Sequence, residues 1–208
     1  QFTATGVGSG TGDAYLISDP VTQISILQGG NYQFVQYNFS ADTDGKKLYG
    51  TDSLNRAFEF DGDVYIPINT QLEIDAPTTI AAINNQLVLS FFGAAVFSAV
   101  ANPHNFVTTS AGFQDLQGFG DTITGMSPIV GGVLAVACRD SLWQVSIDAQ
   151  SNNYKAELIS PDVGSIHYGL MNLGGLYSFD DKGIIKVVSS YVFGGFEHDT
   201  ICLLYTSD

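Results

Sequence analysis

The sequence predicts an all-β fold made of small antiparallel sheets, on three observations. Its apolar segments are three to eight residues long and bounded by Gly, Asn, Asp or Pro, too short and too often interrupted for helices. Its 23 glycines, 10 tyrosines and 14 phenylalanines suit many short strands joined by tight turns. Its lettering also recurs. With Phe58, Phe97, Trp143 and Ile185 taken as equivalent, the steps are 39, 46 and 42 residues. The turns at Gly45, Asn85, Gly132 and Gly175 step by 40, 47 and 43. Two markers that drift together define a repeat, and a period of about 40–45 residues with four strands per unit is the signature of a β-propeller. About four blades and a partial one are expected.

Residues 1–31 read as a partial blade or linker strands, with candidates at Ala14–Ser18 and Gln23–Leu27. The Gly6–Gly12 run there is not a phosphate loop, because Thr11 and Asp13 stand where the third Gly of G-x-G-x-x-G would fall. The blades follow over residues 32–200, at approximately 32–75, 76–119, 120–163 and 164–200. The first has strands at Tyr32–Phe39, Lys47–Gly50, Ala57–Phe60 and Val64–Ile68. The second has Thr79–Ile83, Leu87–Phe91, Ala95–Ala99 and Phe106–Thr109, with Asn84-Asn85 as its first turn. The third has Thr122–Ser127, Val133–Cys138, Leu142–Ile147 and Tyr154–Ile159. The fourth has Ile166–Met171, Leu176–Phe179, Ile184–Val188 and Tyr191–Phe193.

Pro128 to Ser146 is the clearest stretch: two apolar strands, a Gly-Gly turn ahead of the first, and a polar hinge at Arg139–Ser141 between them. The run from Leu134 to Cys138 is apolar at every position, as a strand buried on both faces must be. Trp143 reads as a packing anchor between blades and Cys138 as a small core residue. Cys202 to Asp208 falls outside the repeat and is similar to a translated adapter sequence, so 201–208 reads as a non-native tail. With Gln1 in place of an initiator Met, the chain reads as an internal fragment.

Charge narrows the function classes. Seven basic residues stand against 21 acidic ones, a formal net charge of −14, which repels a phosphate backbone and argues against nucleic-acid binding. Seventeen of the acids are Asp, many beside Gly where turns favour them. No apolar run approaches the length that spans a bilayer, and two cysteines make no disulfide framework.

No residue pattern points to catalysis, a cofactor or a metal, so no site residue is assigned. Asp42-Thr-Asp44-Gly45 hints at a calcium loop, but Lys47 and Ser53 occupy the positions where the loop needs Gly and Glu. Asp61-Gly62-Asp63 and Asp180-Asp181 read as turns. His104, His167 and His198 lack the spacing of a zinc site. There is no Gly-x-Ser-x-Gly elbow to mark a nucleophile, and a dispersed triad or carboxylate pair is not readable from sequence. Asn38-Phe39-Ser40 fits a glycosylation acceptor at the end of a strand.

One segment adds a resemblance. Phe97-Ser98, Asn102-Pro103-His104-Asn105-Phe106, Gly120-Asp121-Thr-Ile123-Thr-Gly-Met126, Val130-Gly-Gly-Val-Leu134-Ala-Val136 and Ser141-Leu142-Trp143 follow in order. This succession resembles propeller-containing tail proteins of tailed bacteriophages, the nozzle, hub and stabilisation components of short-tailed virions. It covers about fifty residues; Ala137 and Cys138 depart from the family, which often has Phe and a larger polar residue there. The resemblance implies a non-enzymatic virion component that contacts other tail proteins and copies of itself around the tail axis. DNA would meet it only in transit, past an acidic surface that does not hold it. The alternatives are an extracellular carbohydrate- or protein-binding propeller and a propeller glycoside hydrolase, since one fold hosts many functions.

Overall fold

The computed structural model describes residues 26–41, 45–108, 111–116, 121–129, 131–148, 153–189 and 196–203. These residues form sixteen strands and no helix. The strands make four antiparallel sheets, each a meander in chain order. The first holds β1 (Gln33–Asn38), β2 (Lys46–Thr51), β3 (Phe58–Phe60) and β4 (Tyr65–Pro67). The second holds β5 (Ile80–Ile83), β6 (Gln86–Phe91), β7 (Ala94–Phe97) and β8 (Gly112–Asp115). The third holds β9 (Ile123–Ile129), β10 (Val133–Cys138), β11 (Leu142–Asp148) and β12 (Asn153–Ser160). The fourth holds β13 (Leu170–Asn172), β14 (Leu176–Asp180), β15 (Gly183–Ser189) and β16 (Phe196–Leu203).

The sheets stack in sequence. First strands lie side by side, β1 against β5, β5 against β9 and β9 against β13, while the outer strands β8, β12 and β16 also meet. Alternation along a strand explains how one run can be wholly apolar. In β10, Leu134, Val136 and Cys138 belong to a cluster shared with Ala81, Val88 and Phe97 of the second sheet. Ala135 and Ala137 point the other way, into a cluster with Leu176 and Val187 of the fourth. The second sheet divides likewise: Val88 joins the third sheet's core, and Leu87 and Leu89 join Tyr49 and Ala57 of the first. Strands with two buried faces read as continuous apolar lettering.

Burial alternates along the strands of the fourth sheet. In β14 and β15, Leu176, Ser178, Ile185 and Val187 are buried, whereas Tyr177, Phe179, Ile184 and Lys186 alternate with them and remain part-exposed.

Turn chemistry follows the repeat. Asn84 and Asn85 carry φ of 49° and 61°, and Gly131 and Gly132 carry 90° and 74°, so both first hairpins use two left-handed residues. Neighbouring hairpins touch at this end: Tyr37 Oη accepts from Asn85 N (3.1 Å), Asn84 Nδ2 donates to Gly132 O (3.3 Å), and Asn172 Nδ2 donates to Pro128 O (3.1 Å). The register shifts at Leu142/Trp143 in the third sheet and at Ile184/Ile185 in the fourth, matching bulges at matching repeat positions.

Two outer strands differ from expectation. After β7, the amides of Val107 and Thr108 bond the Asn105 side chain and Ala111 N bonds Thr108 O. The backbone at 106–108 is therefore committed to a turn, and pairing with β7 resumes only at Gly112. In the fourth sheet the strand paired with β15 is Phe196–Leu203, which takes in Cys202 and Leu203. Its letters Phe-Glu-His-Asp-Thr are too polar to mark a strand by hydrophobicity. The candidates at Ala14–Ser18, most of Gln23–Leu27, Asp42–Asp44, Tyr191–Phe193 and residues 204–208 lie outside the described residues.

Candidate functional site

The most concentrated set of ionisable side chains lies between the first two sheets. Glu59 stands in β3 at the parity that faces the second sheet, in register with Tyr49 of β2. Only 5% of its side chain is exposed. Lys47 Nζ reaches Glu59 Oε1 at 2.5 Å, and His104 Nε2 lies 2.9 Å from Oε2. The buried Tyr49 hydroxyl also bonds this carboxylate. His104 arrives from the second sheet on the turn after β7, where Asn102 Oδ1 accepts from His104 N at 3.2 Å. Ala99 and Asn105 close the same turn through a 2.7 Å main-chain bond.

Burial alone would raise the Glu59 pKa, yet hydrogen bonds from His104, Lys47 and Tyr49 outweigh it and hold the carboxyl at about 2. Burial and the neighbouring Glu59 charge push the Tyr49 phenol well above its ordinary value. A general acid or base works best with a pKa near the operating pH. Glu59 stays charged and Tyr49 stays protonated across the neutral range, so the carboxylate clasps the two sheets as an ion.

A second polar network holds the third sheet. Asp121 accepts from Arg139 N (2.9 Å), Asp140 N (3.0 Å) and Ser141 Oγ (2.9 Å), tying the start of β9 to the β10–β11 hinge. Ser141 Oγ accepts from the indole Nε1 of Trp143 at 2.8 Å, and the ring sits in the core shared by the second and third sheets. Arg139 then bridges to Asp181 in the β14–β15 turn of the fourth sheet. Cys138 lies beneath, fully buried; desolvation first and the Asp121 charge second push its thiol to about 12.

The other side chains weighed from sequence have plain structural partners. Asp61 accepts from Asp63 N (2.9 Å) and Val64 N (2.8 Å), and Asp180 from Asp181 N (2.7 Å), which is turn chemistry. Among the described residues no three His, Cys, Asp or Glu side chains are grouped to hold a metal ion. His167 lies beside Tyr168, and the side chain of His198 is outside the described residues. Asn38 ends β1, with its Oδ1 accepting from Ser40 Oγ at 3.1 Å.

Sequence reasoning missed the Glu59 clasp, because its members come from two repeats. One signal was present: in Ala57-Phe58-Glu59-Phe60 a charge occupies the parity of buried Ala57, and a charge there needs partners. Among known proteins, no family model and no curated sequence matches the chain.

Proposed function

We propose that the chain is a structural component of a bacteriophage tail, its four sheets serving as blades of a β-propeller that packs against other virion proteins around the tail axis. The observation that carries the reading is how the Phe97–Trp143 segment uses its polar letters. Asn102 and Asn105 bond the turn that follows β7. Asp121, Ser141 and Trp143 form one chain of hydrogen bonds across the third sheet. The residues behind the tail-protein resemblance thus serve packing, as expected of a scaffold.

The side-by-side first strands and face-to-face stacking support the blade assignment, because sheets fanned about an axis bring their innermost strands together. The net charge of −14 suits a wall that DNA passes without adhering. The test is mass spectrometry of purified virions from a phage that encodes this chain. Its recovery in the tail fraction at a fixed copy number per particle is expected; its absence overturns the reading. Saturable binding on a glycan array, or turnover in a glycosidase panel, would favour the carbohydrate alternatives instead.

A further inference from the structure

At one end of the first two sheets, the turns carry large apolar side chains outward. The β2–β3 turn, the connection from β4 to β5 and the β6–β7 turn share that end, because Ser53 N bonds Pro77 O (3.2 Å) and Thr78 N bonds Ser90 O (2.9 Å). Their outward residues are Leu54, Leu72, Ile74 and Phe92, which are 42%, 40%, 59% and 55% exposed. One exposed leucine is ordinary on a protein surface. Four large apolar side chains on three adjoining turns mark a surface for interaction.

These side chains are held in place by the backbone beneath them. Asp75 closes the neck of the 70–75 loop, where it accepts from Thr70 N at 3.2 Å and from Thr70 Oγ1. Arg56 Nε lies 3.1 Å from Asp75 Oδ2, which ties this loop to the residues just ahead of β3. Asp52 Oδ1 accepts from Leu54 N (3.0 Å) and Asn55 N (2.7 Å) and so sets the turn that carries Leu54. Phe92 takes φ of 53° in the two-residue β6–β7 turn, a backbone that disfavours bulky residues. Side chains fixed in advance lose little freedom when a partner closes over them.

Charge narrows the kind of partner. Arg56 is neutralised by Asp75, while Glu73 is exposed between Leu72 and Ile74. A carboxylate flanked by two aliphatic side chains matches an apolar surface that offers a Lys or Arg at its rim. DNA and an anionic bilayer repel such a site, and so does a second copy of net charge −14.

We propose that this end of the first two sheets docks a different tail protein, which receives Leu72, Ile74 and Phe92 in an apolar depression and pairs Glu73 with a basic residue. This docking rests on the virion reading above and adds the surface and the partner's chemistry to it.

The test is photo-crosslinking in assembled virions, from p-benzoylphenylalanine placed at Ile74. A crosslink to another tail protein, within a segment carrying Lys or Arg, is expected. A crosslink to a second copy, to DNA or to a segment without a basic residue overturns the proposal, as does no crosslink from a chain that is present in the tail. Absence of the chain from the tail ends the virion reading and the docking together. Leu72→Ser combined with Ile74→Ser should lower incorporation into virions about tenfold with an unchanged unfolding midpoint. Val107→Ser, at an equally exposed residue on the opposite end of the second sheet, should leave incorporation unchanged. Glu73→Lys, which keeps the apolar side chains and reverses the charge, should lower incorporation as well. Normal incorporation of either the double variant or Glu73→Lys overturns the proposal.

Discussion

The phenol of Tyr168 donates a 3.1 Å hydrogen bond to the main-chain carbonyl of Asn31, 137 residues earlier. Tyr168 lies two residues before the fourth sheet and Asn31 two residues before the first, so this bond links the approaches to the two sheets. Tyr168 holds this position with φ of 64°, a left-handed backbone that a bulky residue adopts only under constraint. Tyr168→Phe removes the bond and keeps the ring. The expected loss is about 0.5–1 kcal/mol, the lower part of the range for a single hydrogen bond because the group is part-exposed. Hydrogen exchange at residues around Asn31 should quicken, while the third sheet's amides stay unchanged; unaltered exchange near Asn31 would show that the bond carries no weight.

Gly112 lies beneath the ring of Tyr154, which crosses from the third sheet to meet Phe97 in a tilted contact at 4.5 Å and accept a 2.8 Å bond from Gln86 Nε2. A Cβ at residue 112 would overlap that ring. Gly112→Ala is expected to destabilise the protein by about 1–3 kcal/mol in urea unfolding, the usual cost of overpacking. Combined with Tyr154→Ala, which opens the space, its cost should nearly vanish. Additive losses in the double variant would mean that the two residues do not share the space.

Acid stability should depend on Glu59. Its folded pKa of about 2 lies below its ordinary value of 4.5, so it contributes stability above that value that is lost as pH falls through the range between them. Unfolding midpoints measured from pH 6 downward should therefore drop more steeply for the parent than for Glu59→Gln. Near neutral pH the same substitution should cost about 1–3 kcal/mol, because the buried Tyr49 hydroxyl loses a charged acceptor. Parallel pH curves would remove Glu59 from the acid response.

Cys138 offers a kinetic reading of the centre. Buried and with its thiol pushed to about 12, it should resist thiol reagents at pH 8 in a Cys202→Ser background. Modification should occur only through opening of the stack and accelerate with urea in step with Trp143 fluorescence. Rapid labelling of the native protein would place the thiol at the surface.

Much of the strand layout was legible because alternation and turn letters are local. Val133–Cys138 was bounded correctly by Gly132 on one side and Arg139-Asp140 on the other. The two inner sheets, apolar on both faces, were the easiest to read. The outer strands β8 and β16 were not, since one begins on a Gly chosen for the Tyr154 ring above it and the other is written in polar letters. Of the candidate site, only the charge at Glu59 among core-facing neighbours was visible in advance.

What the linear order of residues determined by itself was the unit: four strands, their turns and the spacing at which they recur, all properties of neighbours along the chain. Which sheet covers which, and hence that His104 and Lys47 converge on Glu59, was decided only in three dimensions. Contacts between residues 45 positions apart form once each hairpin has used its own backbone bonds and must still bury its apolar faces, and no local pattern records the partner chosen.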